Sequence, residues 1–95
     1  MKTGIELIAE ERQRQIEKLN WTAEHDAEHT KGELSTAAEC YLLELRARQD
    51  RGQVVKRPPP AWPFEVEAWK PSEDRVKNLV KAGALIAAEI DRLSK

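Results

Sequence analysis

The chain has 95 residues with 16 basic and 17 acidic side chains, a near balance that argues against binding duplex nucleic acid through a broad basic face. Its length fits one domain, 1–95, with a core modest enough that self-association would support it. One cysteine, Cys40, excludes an internal disulfide framework, no apolar run approaches the ~20 residues of a membrane span, and residues 1–15 lack the apolar centre of a signal peptide, so a soluble, cytoplasmic protein is expected.

Thr3 and Glu6 have the spacing of a capping box, and Ile5, Ile8, Arg12, Ile16 and Leu19 recur with a helical period. This pattern predicts an amphipathic helix over 4–19, with Glu10, Glu11, Arg14, Glu17 and Lys18 on its other face. Thr22 is placed to cap a short acidic turn, and Thr30 and Glu33 form a second candidate capping box. Leu34, Ala38, Tyr41 and Leu45 make one stripe on a second helix that ends near Arg48, with Gly52 just beyond. One long helix with an irregular start between Thr22 and Thr30 is the expectation.

Residues 50–71 break that pattern. Pro58, Pro59, Pro60, Pro63 and Pro71 remove backbone donors, and Val54-Val55 offers at most a brief extended piece. Trp62, Phe64 and Trp69 put three of the chain's five aromatics into this segment, so it should fold against the helices. Ser72 is the expected cap of a last helix, with Glu73 and Asp74 in its first turn. Val76, Leu79, Val80, Gly83, Ala87, Ile90 and Leu93 form its apolar stripe. Gly83 sits between two alanines at a cost of up to about 1 kcal/mol of helix propensity, which points to a close crossing with another helix. The expected fold is all-α: a compact three-helix domain with an ordered Pro/Trp-rich loop between helices two and three. Residues 1–50 carry 7 basic and 11 acidic groups and residues 51–95 carry 9 and 6. The two halves can attract one another in folding, or face one another across a cleft.

Three chemistries compete for the polar residues. On a helix His25, His29 and Glu33 share one face, and His25-x-x-Glu28-His29 fits an inverted zincin pattern. A structural role, with a histidine donating to a carboxylate, explains the same cluster and is preferred. A MazG-like, magnesium-dependent nucleoside triphosphate pyrophosphohydrolase needs acidic pairs one turn apart on facing helices. Glu33 and Glu39 are six apart, and Glu89 and Asp91 two apart, so such an enzyme would have to use Asp26, Glu33 and Glu89 around Mg²⁺. Binding without turnover asks less. Lys70, Arg75, Lys77 and Lys81 cluster in and before the last helix, and Lys81 lies beside its apolar stripe. Trp21, Trp62 and Trp69 are available to stack on a flat ring, or to fill a core short of bulky residues. Cys40 is expected to be a small core or near-surface thiol.

Residues Trp21-Thr22-x-Glu24-His25-Asp26-x-x-His29-x-x-Gly32-Glu33-Leu34, with Trp62-Pro63, Trp69-Lys70-Pro71 and Leu79 through Ile90, resemble a family of small proteins carried by bacteriophages and prophages. The resemblance covers nearly the whole chain and implies a phage or prophage setting; the family has no settled activity. A weaker resemblance is to the ryanodine-receptor repeat domain. Arg12 or Arg14, Trp21, Asp26, His29 and Asp74-Arg75 follow its order, while Asn20 stands for its glycine and Ala27 for its second aspartate. Such domains are recognition modules, which implies ligand binding over hydrolysis.

The expectation is therefore a phage accessory protein, oligomeric, that binds a small anionic, nucleotide-type ligand and serves in anti-defence by sequestering a host signal. Trp21, Trp62 or Trp69 would stack on a base, and Lys70, Arg75 and Lys81 would meet phosphate. His25, Asp26 and His29 would take base or ribose contacts. The alternatives are the pyrophosphohydrolase and a protein–protein inhibitor of a host enzyme that docks through the Pro58–Trp69 loop.

Overall fold

The computed structural model describes residues 1–19, 28 and 30–94. Within them lie three α-helices: α1 (Gly4–Leu19), α2 (Glu33–Arg51) and α3 (Arg75–Leu93), with a 3₁₀ turn at Val66–Ala68 and no strand. This is the all-α, three-helix architecture expected. No helix among the described residues is long and apolar enough to cross a membrane.

The helix ends follow from local chemistry. At α1 the capping box forms as its spacing implies: the Thr3 N–H donates to Glu6 Oε1 at 2.9 Å and the Glu6 N–H to Thr3 Oγ1 at 3.2 Å. The start of α2 corrects two expectations. Gly32 has φ 79°, a left-handed conformation that stops α2 from running back into the preceding residues as one long helix. The N-cap of α2 is Gly32, with no side-chain cap bond, and not Thr30; Glu33 accepts from the Lys31 N–H at 2.7 Å. At the far end Gly52, φ 75°, donates its N–H to the Arg48 carbonyl at 2.7 Å. The cap of α3 is Asp74, which accepts from the Val76 N–H at 2.9 Å, and not Ser72. The Ser72 Oγ instead accepts from the Asp74 N–H at 3.1 Å, before the helix begins, while its own N–H donates to Asn78 Oδ1 at 2.7 Å.

Helix α3 packs on both α1 and α2. The core joins Leu34, Ala37, Ala38 and Tyr41 of α2 to Ala82, Leu85 and Ala88 of α3, with Trp69 closing it from the loop. Cys40 is fully buried, and burial, with the nearby Glu39 charge, pushes its thiol pKa up, as suits an inert packing residue. The apolar stripe of the last helix does not build this core. Val76, Leu79, Ile90 and Leu93 are all exposed, while Asn78, Ala82, Leu85 and Glu89 face inward.

Gly83 does mark a close crossing. A Cβ built there would lie 2.6 Å from Ile8 Cδ1 and 2.9 Å from Ile8 Cγ1, so α1 rests on α3 at this glycine. Gly83→Val is expected to destabilise the fold by about 1–3 kcal/mol, because a β-branched side chain cannot turn away from Ile8. Thermal melts check this. Ile8→Ala in the same chain should recover part of the loss, and two strictly additive effects would place the strain elsewhere.

The long loop is held by a buried polar clamp. Arg48 lies four residues after Glu44 and forks onto its carboxylate through Nε at 3.1 Å and Nη2 at 2.7 Å. The same carboxylate accepts from the Val55 N–H at 3.0 Å and from Asn78 Nδ2 at 2.8 Å. Arg48 also donates to the carbonyls of Ser72 and Glu73. One pair on α2 thus fixes the loop where it leaves α2, at Val55, and where it enters α3. Val55 forms no strand; its carbonyl instead accepts from Trp69 Nε1 at 3.3 Å.

Candidate functional site

With its ends fixed, the loop turns its aromatics onto α2. Tyr41 stacks on Trp69, ring centroids 4.8 Å apart at 27°. Trp62 meets Trp69 at 4.9 Å and 70°, and Phe64 at 5.6 Å and 86°, both edge to face. Its indole N–H donates to the Glu65 carbonyl at 2.9 Å, which fixes the ring's tilt. Trp69 is core; Trp62 is half-buried and leaves part of its ring facing outward.

That ring, with Tyr41 and Phe64, forms one wall of a cleft of about 360 Å³. Helix α1 supplies the opposite wall with Glu11, Arg14 and Gln15, and α3 contributes Lys81 and Leu85. A neighbouring hollow between α1 and α3 shares Glu11, Arg14, Lys70 and Lys81 with the cleft and adds Lys77. The cations therefore gather where the two hollows meet. Glu65 and Glu67 line the loop side, away from that junction.

Lys81 is the central charge. Its ammonium lies 5.7 Å from the centroid of the Tyr41 ring and donates to the Lys70 carbonyl. Burial pulls its pKa below the ordinary lysine value, and the charges of Arg14, Lys77 and Lys70 add to that pull; Glu11 opposes it. Glu11 in turn is held below the ordinary glutamate range. Burial works against its charge but is outweighed by Arg14, which donates to both of its oxygens at 2.8 Å, and by Gln15 and Lys81. Burial also raises the Tyr41 phenol.

Among the described residues that line the cleft, Gln15 carries a buried polar atom without a hydrogen-bond partner. It is 2% exposed and lines the cleft, and its Nε2 donates to Glu11 Oε2 at 3.2 Å. A carboxylate only accepts, so this contact fixes which end of the amide is which. The carbonyl oxygen then has no hydrogen-bond partner among the described residues. A buried acceptor in that state costs about 1–3 kcal/mol unless something donates to it.

Of the residues singled out in the sequence, Trp62, Lys70 and Lys81 meet in the cleft, and Trp69 supports it from behind. Arg75 is exposed at the start of α3 and lines neither hollow. Trp21, His25, Asp26 and His29 lie outside the described residues. Glu33 and Glu89 are near enough to feel one another's charge, and Glu89 is paired with Arg92 at 2.6 Å. Among the described residues no group of three His, Cys, Asp or Glu side chains is placed to hold a metal ion. Glu11, Arg14, Gln15, Tyr41 and Phe64 are additions made by the structure. The signal for the first three is Glu11-x-x-Arg14-Gln15, an i, i+3, i+4 set on one face of α1.

No protein-family model, curated protein or solved structure matches this chain.

Proposed function

We propose that the chain binds a small anionic, nucleotide-type ligand in this cleft, without turnover, as an accessory protein of a phage or prophage. The observation that carries the reading is a single cleft that sets the aromatic wall of Tyr41, Trp62 and Phe64 beside Arg14, Lys70 and Lys81. Trp62 and Tyr41 suit a flat ring. Lys81, Lys70, Lys77 and Arg14, crowded enough to lower the Lys81 pKa, suit a phosphate at the other end. Glu65 and Glu67 suit ribose hydroxyls or a base amine. A nucleotide carries all three groups in one molecule. The phage setting rests on the sequence resemblance, and sequestration of a host defence signal is the use consistent with binding alone.

A thermal-shift screen against nucleotides, cyclic dinucleotides and ADP-ribose, each with Mg²⁺ and with EDTA, tests this. A ligand at 100 times its Kd should add about 2.7 kcal/mol of stability, equally with and without metal. A shift that requires Mg²⁺, together with pyrophosphate release lost in Glu33→Gln, would replace this reading with the pyrophosphohydrolase. No shift with any of them would sink it.

A further inference from the structure

The outward stripe of α3 has a spacing of its own. Val76, Leu79, Gly83, Ile86, Ile90 and Leu93 alternate steps of three and four, the pattern of a helix–helix seam. The core does not use its five large side chains, which are 44–67% exposed; Gly83, in the same stripe, is the point where Ile8 of α1 rests. Ile90 and Lys81 are nine residues apart, half a turn around the helix. The seam therefore lies on the opposite flank of α3 from the cleft.

Helix α2 extends this surface. Asn78 bonds to Glu44 at 2.8 Å, and Ser35 meets Glu89 at 3.5 Å, so α2 and α3 run antiparallel in a fixed register. Leu42, 44% exposed, lies seven residues from Ser35 on the same side of α2, near the level of Gly83. Glu39 and Arg46 flank it at i−3 and i+4. Both are exposed, and neither forms an ion pair with another described residue.

We infer that this α2/α3 face binds a second copy of the chain through Leu42, Leu79, Ile86 and Ile90, about a twofold axis at the level of Leu42 and Gly83 and beside the Ile8 contact. The surface is self-complementary: the axis sets Val76 against Ile90, Leu79 against Ile86, and Glu39 of one copy against Arg46 of the other, each twice. Val76, Leu79, Ile86, Ile90, Leu93 and Leu42 expose on the order of 600 Å². A standard interface buries ~800 Å² on each partner, a little over half of it apolar, so the patch supplies that share and the charged pairs supply the rim. It also stands at the upper end of the ~300–600 Å² typical of the largest apolar patch on a monomer. The dimer leaves both clefts open.

Sedimentation velocity on the full chain over a concentration series tests this. A concentration-dependent dimer is expected, lost in Ile86→Glu. Glu39→Arg should weaken it about tenfold or more through like-charge contact with Arg46 of the other copy, and adding Arg46→Glu should restore it. Restoration by the double reversal is a result that damage to one protomer cannot produce. A wild-type chain monomeric at its highest soluble concentration would overturn the inference. So would a dimer indifferent to Ile86→Glu or to Glu39→Arg.

Discussion

Glu44→Ala is expected to lower stability by about 3–5 kcal/mol, the cost of leaving a buried charge without its partner. For a domain this size that is a fall in Tm of roughly 15 °C or more. The magnitude follows from what the carboxylate does. It is fully buried, pairs with an Arg48 that is 7% exposed, and accepts from Val55 and Asn78 as well. Truncation strands the guanidinium with only the Ser72 and Glu73 carbonyls and leaves the Val55 N–H without its acceptor. Glu44→Gln should fall between the two, since it keeps the volume and one acceptor oxygen but not the charge. Urea and thermal melts give the loss, with Glu17→Ala, on the exposed face of α1, as the neutral comparison. Because the clamp ties the loop to both helices, near-ultraviolet dichroism of the Trp62, Trp69 and Tyr41 cluster should weaken along with stability. A loss under about 1 kcal/mol would mean that the loop is held by its aromatics alone.

The same clamp shows why the inner face of α3 was hard to read from residue types. Periodicity finds stripes of apolar residues, and the strongest on α3 runs through Val76, Leu79, Ile90 and Leu93, which face outward. The inward face begins with Asn78, continues through alanines and ends at Glu89. Polar groups can be buried there because each has a specific partner, and partners distant in sequence are not visible in a helical pattern. On α2 the stripe was legible, since Leu34, Ala38 and Tyr41 are all core. Continuing it by three and four residues reaches Glu44 and Arg48, the signal that an ion pair belongs to the buried face. The glycines divided in the same way. Gly52 and Gly83 play the parts their neighbours imply, whereas Gly32 ends a helix that residue types alone would have continued.

The cleft was half legible. Lys81 stood out as a lysine beside an apolar seam, and Trp62 as an aromatic among prolines. Both line the wall. Glu11, Arg14 and Gln15 did not stand out, because a charged face on an amphipathic helix is ordinarily solvated. What brings them inward is the tight contact of Ile8 with Gly83, which draws α1 onto α3 and leaves Gln15 2% exposed. A one-residue feature on α3 thus decides which face of α1 becomes a wall.

Lys81→Met should reduce affinity for the nucleotide found in the screen by about 10–100-fold, while leaving the fold at least as stable. A hydrogen bond to a charged group contributes about 1.5–3 kcal/mol, and methionine keeps the apolar stem that packs beside Leu85 while removing the charge. The pH dependence separates this role from a packing role. Burial and three neighbouring cations lower the Lys81 pKa in the folded chain, so between that value and the ordinary lysine value the unfolded chain holds more protons. Without ligand, stability contributed by this group therefore rises with pH through that window, which is why removing the charge does not weaken the fold. A bound phosphate reverses the balance. It favours the protonated amine and raises the pKa, so binding takes up a proton in the alkaline range, and affinity falls as pH rises through the free-state pKa. Titration calorimetry in two buffers of different ionisation enthalpy reads that uptake directly. Wild-type protein should show it and Lys81→Met should not. Equal uptake in both would mean that Lys81 is not the group that takes up the proton, and unchanged affinity in Lys81→Met would remove the ligand from this cleft.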